Sequence, residues 1–212
     1  MSICVTLLAL TLALAGPFLS AADAAAPAAG DCAGPGGERP SRCIYRSLLP
    51  SAGVVADCKT DRDCRVGFYY GDIEHPTWLD LPPGTPSFAK PAVIWRTATL
   101  AESRFSCGGP CTVSYFFEAR RRRISPPRWF VLDVDTRRLL LVAAEDRAIV
   151  VRQVFSGREV ARIERPWAPG GWLGEVVTAA RFDPDGRLSL TWLRNPDRIP
   201  VSERISVPST PR

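Results

Sequence analysis

His75 is the only histidine of the chain. It is therefore the only side chain whose ordinary pKa suits a general base near neutrality. It lies in Asp72-Ile73-Glu74-His75-Pro76. A Ser-His-Asp triad would have to use it, yet the sequence has no Gly-x-Ser-x-Gly elbow. His75 reads first as a loop residue. The rival reading is a periplasmic hydrolase built on His75 or on a pair of carboxylates that spacing does not reveal. Asp57, Asp61 and Asp63 surround Cys58 and Cys64, and alternating Asp can bind Ca²⁺. The EF-hand loop needs Gly at its sixth position and Glu at its twelfth, whereas counting from Asp57 puts Arg62 and Phe68 there. A solvated turn is the simpler account, and no metal or other cofactor is implied. Arg120, Arg121, Arg122 and Arg123 form the densest charge cluster. Such a loop can contact an anionic envelope component or an acidic protein; nucleic acid is the least suitable partner for an exported chain. Trp167 and Trp172 flank Ala168-Pro169-Gly170-Gly171, and aromatics on a connector can bind a ligand or pack on the sheet beside them.

The stretch Cys107-Gly108-Gly109-Pro110-Cys111 resembles the Cys-Gly-Pro-Cys of thioredoxin-type redox sites, with one Gly added. Those sites use a helix N-terminus to lower a thiol pKa, and the flanks here are β-type runs. A hairpin disulfide is the structural reading. A thiol-redox or metal protein using Cys107 and Cys111 is the functional alternative.

These residues need elements to position them, and the composition limits which. The chain has 212 residues with 46% hydrophobic, 9% aromatic and 23% charged. It is too apolar for a disordered chain. Its 16 Gly and 20 Pro leave room for few long helices. Lys59 and Lys90 are the only lysines among 27 basic residues, which reads as a compositional bias toward Arg. Residues 2–22 carry no charge, and Ser20-Ala21-Ala22 fits a small-x-small cleavage site. Residues 1–22 are therefore expected to be a signal peptide, with no membrane span after cleavage and a periplasmic or secreted location. Removing them leaves the net charge of +5 unchanged and discards Cys4. Cys32, Cys43, Cys58, Cys64, Cys107 and Cys111 remain, an even number suited to disulfides in an oxidising compartment. Local spacing favours Cys58–Cys64 and Cys107–Cys111, which leaves Cys32–Cys43.

Residues 23–40 read as a flexible lead-in and 41–212 as one β-rich domain. Within it, 41–91 are expected to be irregular and Cys-rich, with strands at Val54–Ala56 and Val66–Tyr70. Residues 92–207 form a hairpin part in which short apolar runs alternate with turn signals. Arg138–Ala144 is apolar on both faces and belongs at the centre of a sheet. The segments Ala148–Ile163 (AIVVRQVFSGREVARI) and Ala180–Trp192 (ARFDPDGRLSLTW) resemble the hairpins of β-propeller blades, over roughly Trp129 to Trp192. That resemblance implies interaction surfaces and no catalytic residues. The chain is short for a closed ring of blades. The expected fold is an all-β antiparallel hairpin meander, β-sandwich-like or an incomplete propeller, with a disulfide-stapled N-terminal part. The expected function is that of a non-enzymatic exported protein that binds a partner or associates with the envelope.

Overall fold

A computed structural model of the chain describes residues 30–33, 41–49, 51–81, 88–108, 111–170 and 172–208. The signal peptide expected at 1–22 lies outside the described residues. Among them, no helix is long and apolar enough to cross a membrane.

The described chain is almost entirely antiparallel β, in four consecutive sheets. The first is a meander of β1 (Asp31–Ala33), β2 (Ser41–Arg46), β3 (Ala52–Thr60), β4 (Asp63–Tyr70) and β5 (Thr77–Trp78). The second contains β6 (Ala92–Trp95), β7 (Leu100–Gly108), β8 (Cys111–Glu118), β9 (Arg123–Ile124) and β10 (Arg128–Trp129), with β9 and β10 both pairing β8. The third runs β11 (Val131–Asp135), β12 (Leu140–Glu145), β13 (Ala148–Gln153), β14 (Glu159–Ile163). A single 3₁₀ turn at Leu173–Glu175 precedes the fourth: β15 (Val177–Phe182), β16 (Leu188–Arg194) and β17 (Ile199–Ile205).

The N-terminal part is stapled as expected and is more regular than its turn signals suggest. β2 and β5 extend the expected pair of strands into a five-stranded sheet. The lead-in also contributes, because Asp31–Ala33 forms β1 and Cys32 pairs directly with Cys43. Cys58 faces Cys64 across the β3–β4 ladder, and Cys107–Cys111 closes the β7–β8 hairpin. Each bridge joins neighbours already paired by the backbone, so each closes a short loop and contributes modestly. Replacing Cys107 and Cys111 together by Ser is expected to cost about 2 kcal/mol on chain-entropy grounds, read by urea unfolding. A loss of cooperative unfolding would contradict that staple role.

Three apolar clusters join the sheets in sequence order. The first holds Val54, Val66 and Phe68 from the first sheet with Phe105, Val113 and Phe117 from the second. Phe68 and Phe117 stack at 4.6 Å, and Phe88 lies 4.4 Å from Phe105. The second joins β7 and β8 to the third sheet through Leu100, Phe116, Val131 and Leu141. The last lies between the third and fourth sheets, with Leu140, Val142, Ile149, Leu188, Leu190 and Trp192.

Side-chain alternation explains this layering. On β8, Val113, Tyr115 and Phe117 face the first sheet while Phe116 faces the third. On β12, Leu140, Val142 and Ala144 face the fourth sheet while Leu141 and Ala143 face the second. Both strands are apolar on two faces because both are covered on two faces. This places Leu140–Ala144 of the expected run as its composition predicts, with β12 between β11 and β13, while Arg138 and Leu139 fall in the turn before it.

One fully buried carboxylate interrupts this packing. The Glu102 side chain on β7 is fully buried. Its carboxylate accepts from Arg96 Nε and Nη2 at 2.9 and 2.6 Å, from Arg104 Nε at 2.9 Å and from Ser114 Oγ at 2.7 Å.

Candidate functional site

Two turns meet at one corner of the second and third sheets. The first, Ala119–Arg122, joins β8 to β9. The Glu118 carboxylate folds back to accept the backbone N–H groups of Arg120 and Arg121 at 3.3 and 3.0 Å. The second joins β11 to β12. There Asp135 Oδ1 accepts the N–H groups of Arg137 and Arg138 at 2.9 and 3.1 Å. In each turn a carboxylate is held by the backbone. Arg138 Nε also donates to Asp135 Oδ2 at 2.6 Å, whereas the Arg120, Arg121 and Arg137 side chains line a cleft beside these turns.

The result is a cleft of about 220 Å³ lined by Arg120, Arg121, Arg123 and Arg137 with Glu118, and by Thr97, Thr99 and Thr136. Four guanidiniums thus oppose one carboxylate, which is nearly buried and already accepts two backbone bonds. Among the described residues the guanidiniums of Arg120, Arg121 and Arg137 have no acidic partner. Several other arginines are neutralised by a carboxylate: Arg65 with Asp57, Arg138 with Asp135, Arg152 with Glu145, Arg165 with Glu203 and Arg204 with Asp183. The corner instead gathers several unpaired guanidiniums on one cleft.

Arg122 and Arg123 serve the corner differently. Arg122 adopts a left-handed φ of 48° and lays its guanidinium 4.0 Å from the Tyr70 ring. Leu139 in the facing turn has φ 53°. Non-glycine residues hold such backbone only when their surroundings impose it. Arg123 sits 4.2 Å over the Phe155 ring. Its Nε and Nη2 are buried with no hydrogen-bond partner among the described residues. An orphaned buried donor of this kind calls for an acceptor.

The sequence cluster at 120–123 therefore divides. Arg120 and Arg121 face the cleft freely, Arg123 lines it from a half-buried position, and Arg122 braces the turn. The sequence puts Arg137 at a turn but does not bring it here, because the β11–β12 turn reaches the corner only through sheet packing. The apolar pattern puts Thr97 inside a strand. It instead sits in the β6–β7 turn, its Oγ1 accepting the N–H groups of Thr99 and Leu100 at 3.2 and 3.0 Å.

The other sequence candidates lie apart. His75 is exposed, with Nδ1 2.6 Å from Asp72 Oδ2. This hydrogen bond and the Asp72 charge raise the His75 pKa, and the same bond lowers that of Asp72. No hydroxyl or thiol joins the pair among the described residues. Replacing Asp72 by Asn is expected to return the His75 pKa toward its ordinary value, measured by NMR titration of the imidazole. An unchanged titration would mean that the pair does not form in solution. Asp57 is taken up by Arg42 and Arg65, and Asp63 by Lys59. Among the described residues no three His, Cys, Asp or Glu side chains converge. Cys107 and Cys111 are bonded to each other between two strands, with no helix beside them. Trp167 and Trp172 line one cleft together.

No known family, curated protein or solved structure matches this chain.

Proposed function

We propose that this chain is an exported binding protein that holds an anionic group of its partner at the Arg120–Arg121–Arg123–Arg137 corner. One observation carries the reading: the guanidiniums of Arg120, Arg121 and Arg137, without acidic partners among the described residues, gather on one cleft with the orphaned buried donors of Arg123. Arg suits this task because its fork of donors matches phosphate, sulfate and carboxylate oxygens. The Thr97, Thr99 and Thr136 side chains on the same cleft offer further hydroxyl donors. Three disulfides support an oxidising compartment. The succession of antiparallel meanders supports a blade-like scaffold that presents turns to a partner.

The test is retention on immobilised heparin, a sulfated polyanion, at rising salt. The chain carrying Arg120→Glu, Arg121→Glu and Arg137→Glu is compared with one carrying Arg158→Glu, Arg181→Glu and Arg194→Glu. Both variants have the same net charge, and the second set is exposed and dispersed. Weakened retention confined to the first variant supports the corner. Equal weakening in both would reduce the interaction to overall charge and reject it.

A further inference from the structure

The cleft that holds Trp167 and Trp172 has a chemistry different from that of the arginine corner. It measures about 710 Å³ and is also lined by Asp146, Arg147, Glu164, Pro166, Pro169 and Asn195. That size lies within the usual range for a small-molecule site.

Both indoles are fixed before anything binds. Trp167 donates Nε1–H to the Arg147 carbonyl at 2.7 Å and sets its ring edge-on to Trp192, with centroids 5.1 Å apart. Its backbone forms an isolated bridge to Arg194. Trp172 lies against Phe130, centroids 5.1 Å apart. Its ring also covers Gly174 so closely that a Cβ there would come within 1.7 Å of it. Glycine is thus required for Trp172 to lie across the 3₁₀ turn. Each ring remains only partly buried, so part of its surface is left for a ligand. Aromatic surfaces held in place in this way bind with little loss of rotamer freedom.

The polar rim is equally unengaged. Asp146, Glu164 and Asn195 are exposed, and among the described residues their side chains form no hydrogen bond or ion pair. The Arg147 guanidinium is likewise free among them, whereas Arg165 is taken by Glu203 at 2.8 and 2.9 Å. Two free carboxylates against one free guanidinium disfavour an anionic ligand. Carboxylates and a carboxamide together accept and donate to vicinal hydroxyls, and flat indoles match the C–H faces of a pyranose ring.

We infer that the Trp167–Trp172 cleft binds an uncharged saccharide chain, stacked on the two indoles and hydrogen-bonded through its hydroxyls to Asp146, Glu164 and Asn195. The site shares no residue with the arginine corner and does not depend on it.

The experiment titrates the full chain with chitohexaose, cellohexaose and maltohexaose at up to millimolar concentration, read by tryptophan fluorescence and calorimetry. At least one is expected to give saturable binding. The double variant Asp146→Asn with Glu164→Gln, both at exposed unpaired positions, should weaken it at least tenfold. Trp172→Phe, which keeps an apolar ring against Phe130, should reduce the fluorescence response to that of Trp167. The corner variant Arg121→Glu should leave binding unchanged. Absence of saturable binding to all three sugars overturns the proposal, as does undiminished binding by the Asp146 and Glu164 variant or competition by heparin.

Discussion

Glu102→Gln is expected to destabilise the protein by about 3–5 kcal/mol, the usual cost of removing one partner from a buried ion pair. The Glu102 carboxylate is fully enclosed and neutralises Arg96 and Arg104 at once, with Ser114 Oγ as a further donor. Glutamine preserves the shape, donates where an acceptor is needed, and leaves two guanidiniums without a counter-charge. For a chain of this size such a destabilisation lowers Tm by on the order of 10 °C. Replacing an exposed acid of similar type, such as Glu159 beside Arg162, should change far less, because surface pairs are screened.

The pH dependence has a definite sign. Burial pushes the Glu102 carboxyl up, but Arg104 and Arg96, helped by Ser114, more than offset it and hold the group below its ordinary value. A carboxyl held low in the folded state stabilises above the ordinary carboxylate range, and this contribution is lost as pH falls through the lowered folded value. The gap between wild type and Glu102→Gln should therefore be full at neutral pH and narrow only in strong acid. Urea unfolding across pH measures it. A gap that is small at neutral pH, or that widens in acid, would refute the assignment.

The second large effect concerns recognition. Reversing Arg120, Arg121 and Arg137 to Glu is expected to weaken polyanion binding by on the order of a hundredfold or more, since each charge-assisted hydrogen bond is worth roughly 1.5–3 kcal/mol. The three side chains are exposed, so stability should stay nearly constant. The same urea unfolding compares it directly. The effect should be greatest at low salt and fade as screening shortens the reach of the charges. Binding that is insensitive to both salt and these substitutions would place recognition elsewhere.

Much of the fold is legible in the sequence wherever apolar runs and turn chemistry agree. Glu159–Ile163 is a strand over the residues its pattern picks out. Leu140–Glu145 lies inside its sheet because both its faces are apolar. Agreement fails where tertiary contacts substitute for a local signal. β1 is three residues long in an Ala-, Pro- and Gly-rich stretch, and it forms against β2 beside the Cys32–Cys43 bridge. β17 contains Pro200 and alternates weakly, yet it pairs with β16 along its whole length. Hydrophobicity alone marks neither.

The sites follow the same rule. Arg120 to Arg123 are adjacent in sequence and therefore visible. Arg137 joins them only because the third sheet packs on the second. Glu102 looks like any polar residue in an alternating strand. Its importance comes from which face of β7 is covered, and composition does not state that. Trp167 and Trp172 announce themselves as aromatics, but Asp146 and Asn195 reach them from distant turns.

The four sheets have one further consequence, for how the chain finds its shape. Hydrogen-bonded neighbours within each sheet are close in sequence, and stacked sheets follow one another along the chain. Ring closures during folding are therefore short, and the entropy cost of each is small. Each meander can zip locally before it docks on the next. The two inner layers meet where Phe116 and Leu141 are buried together.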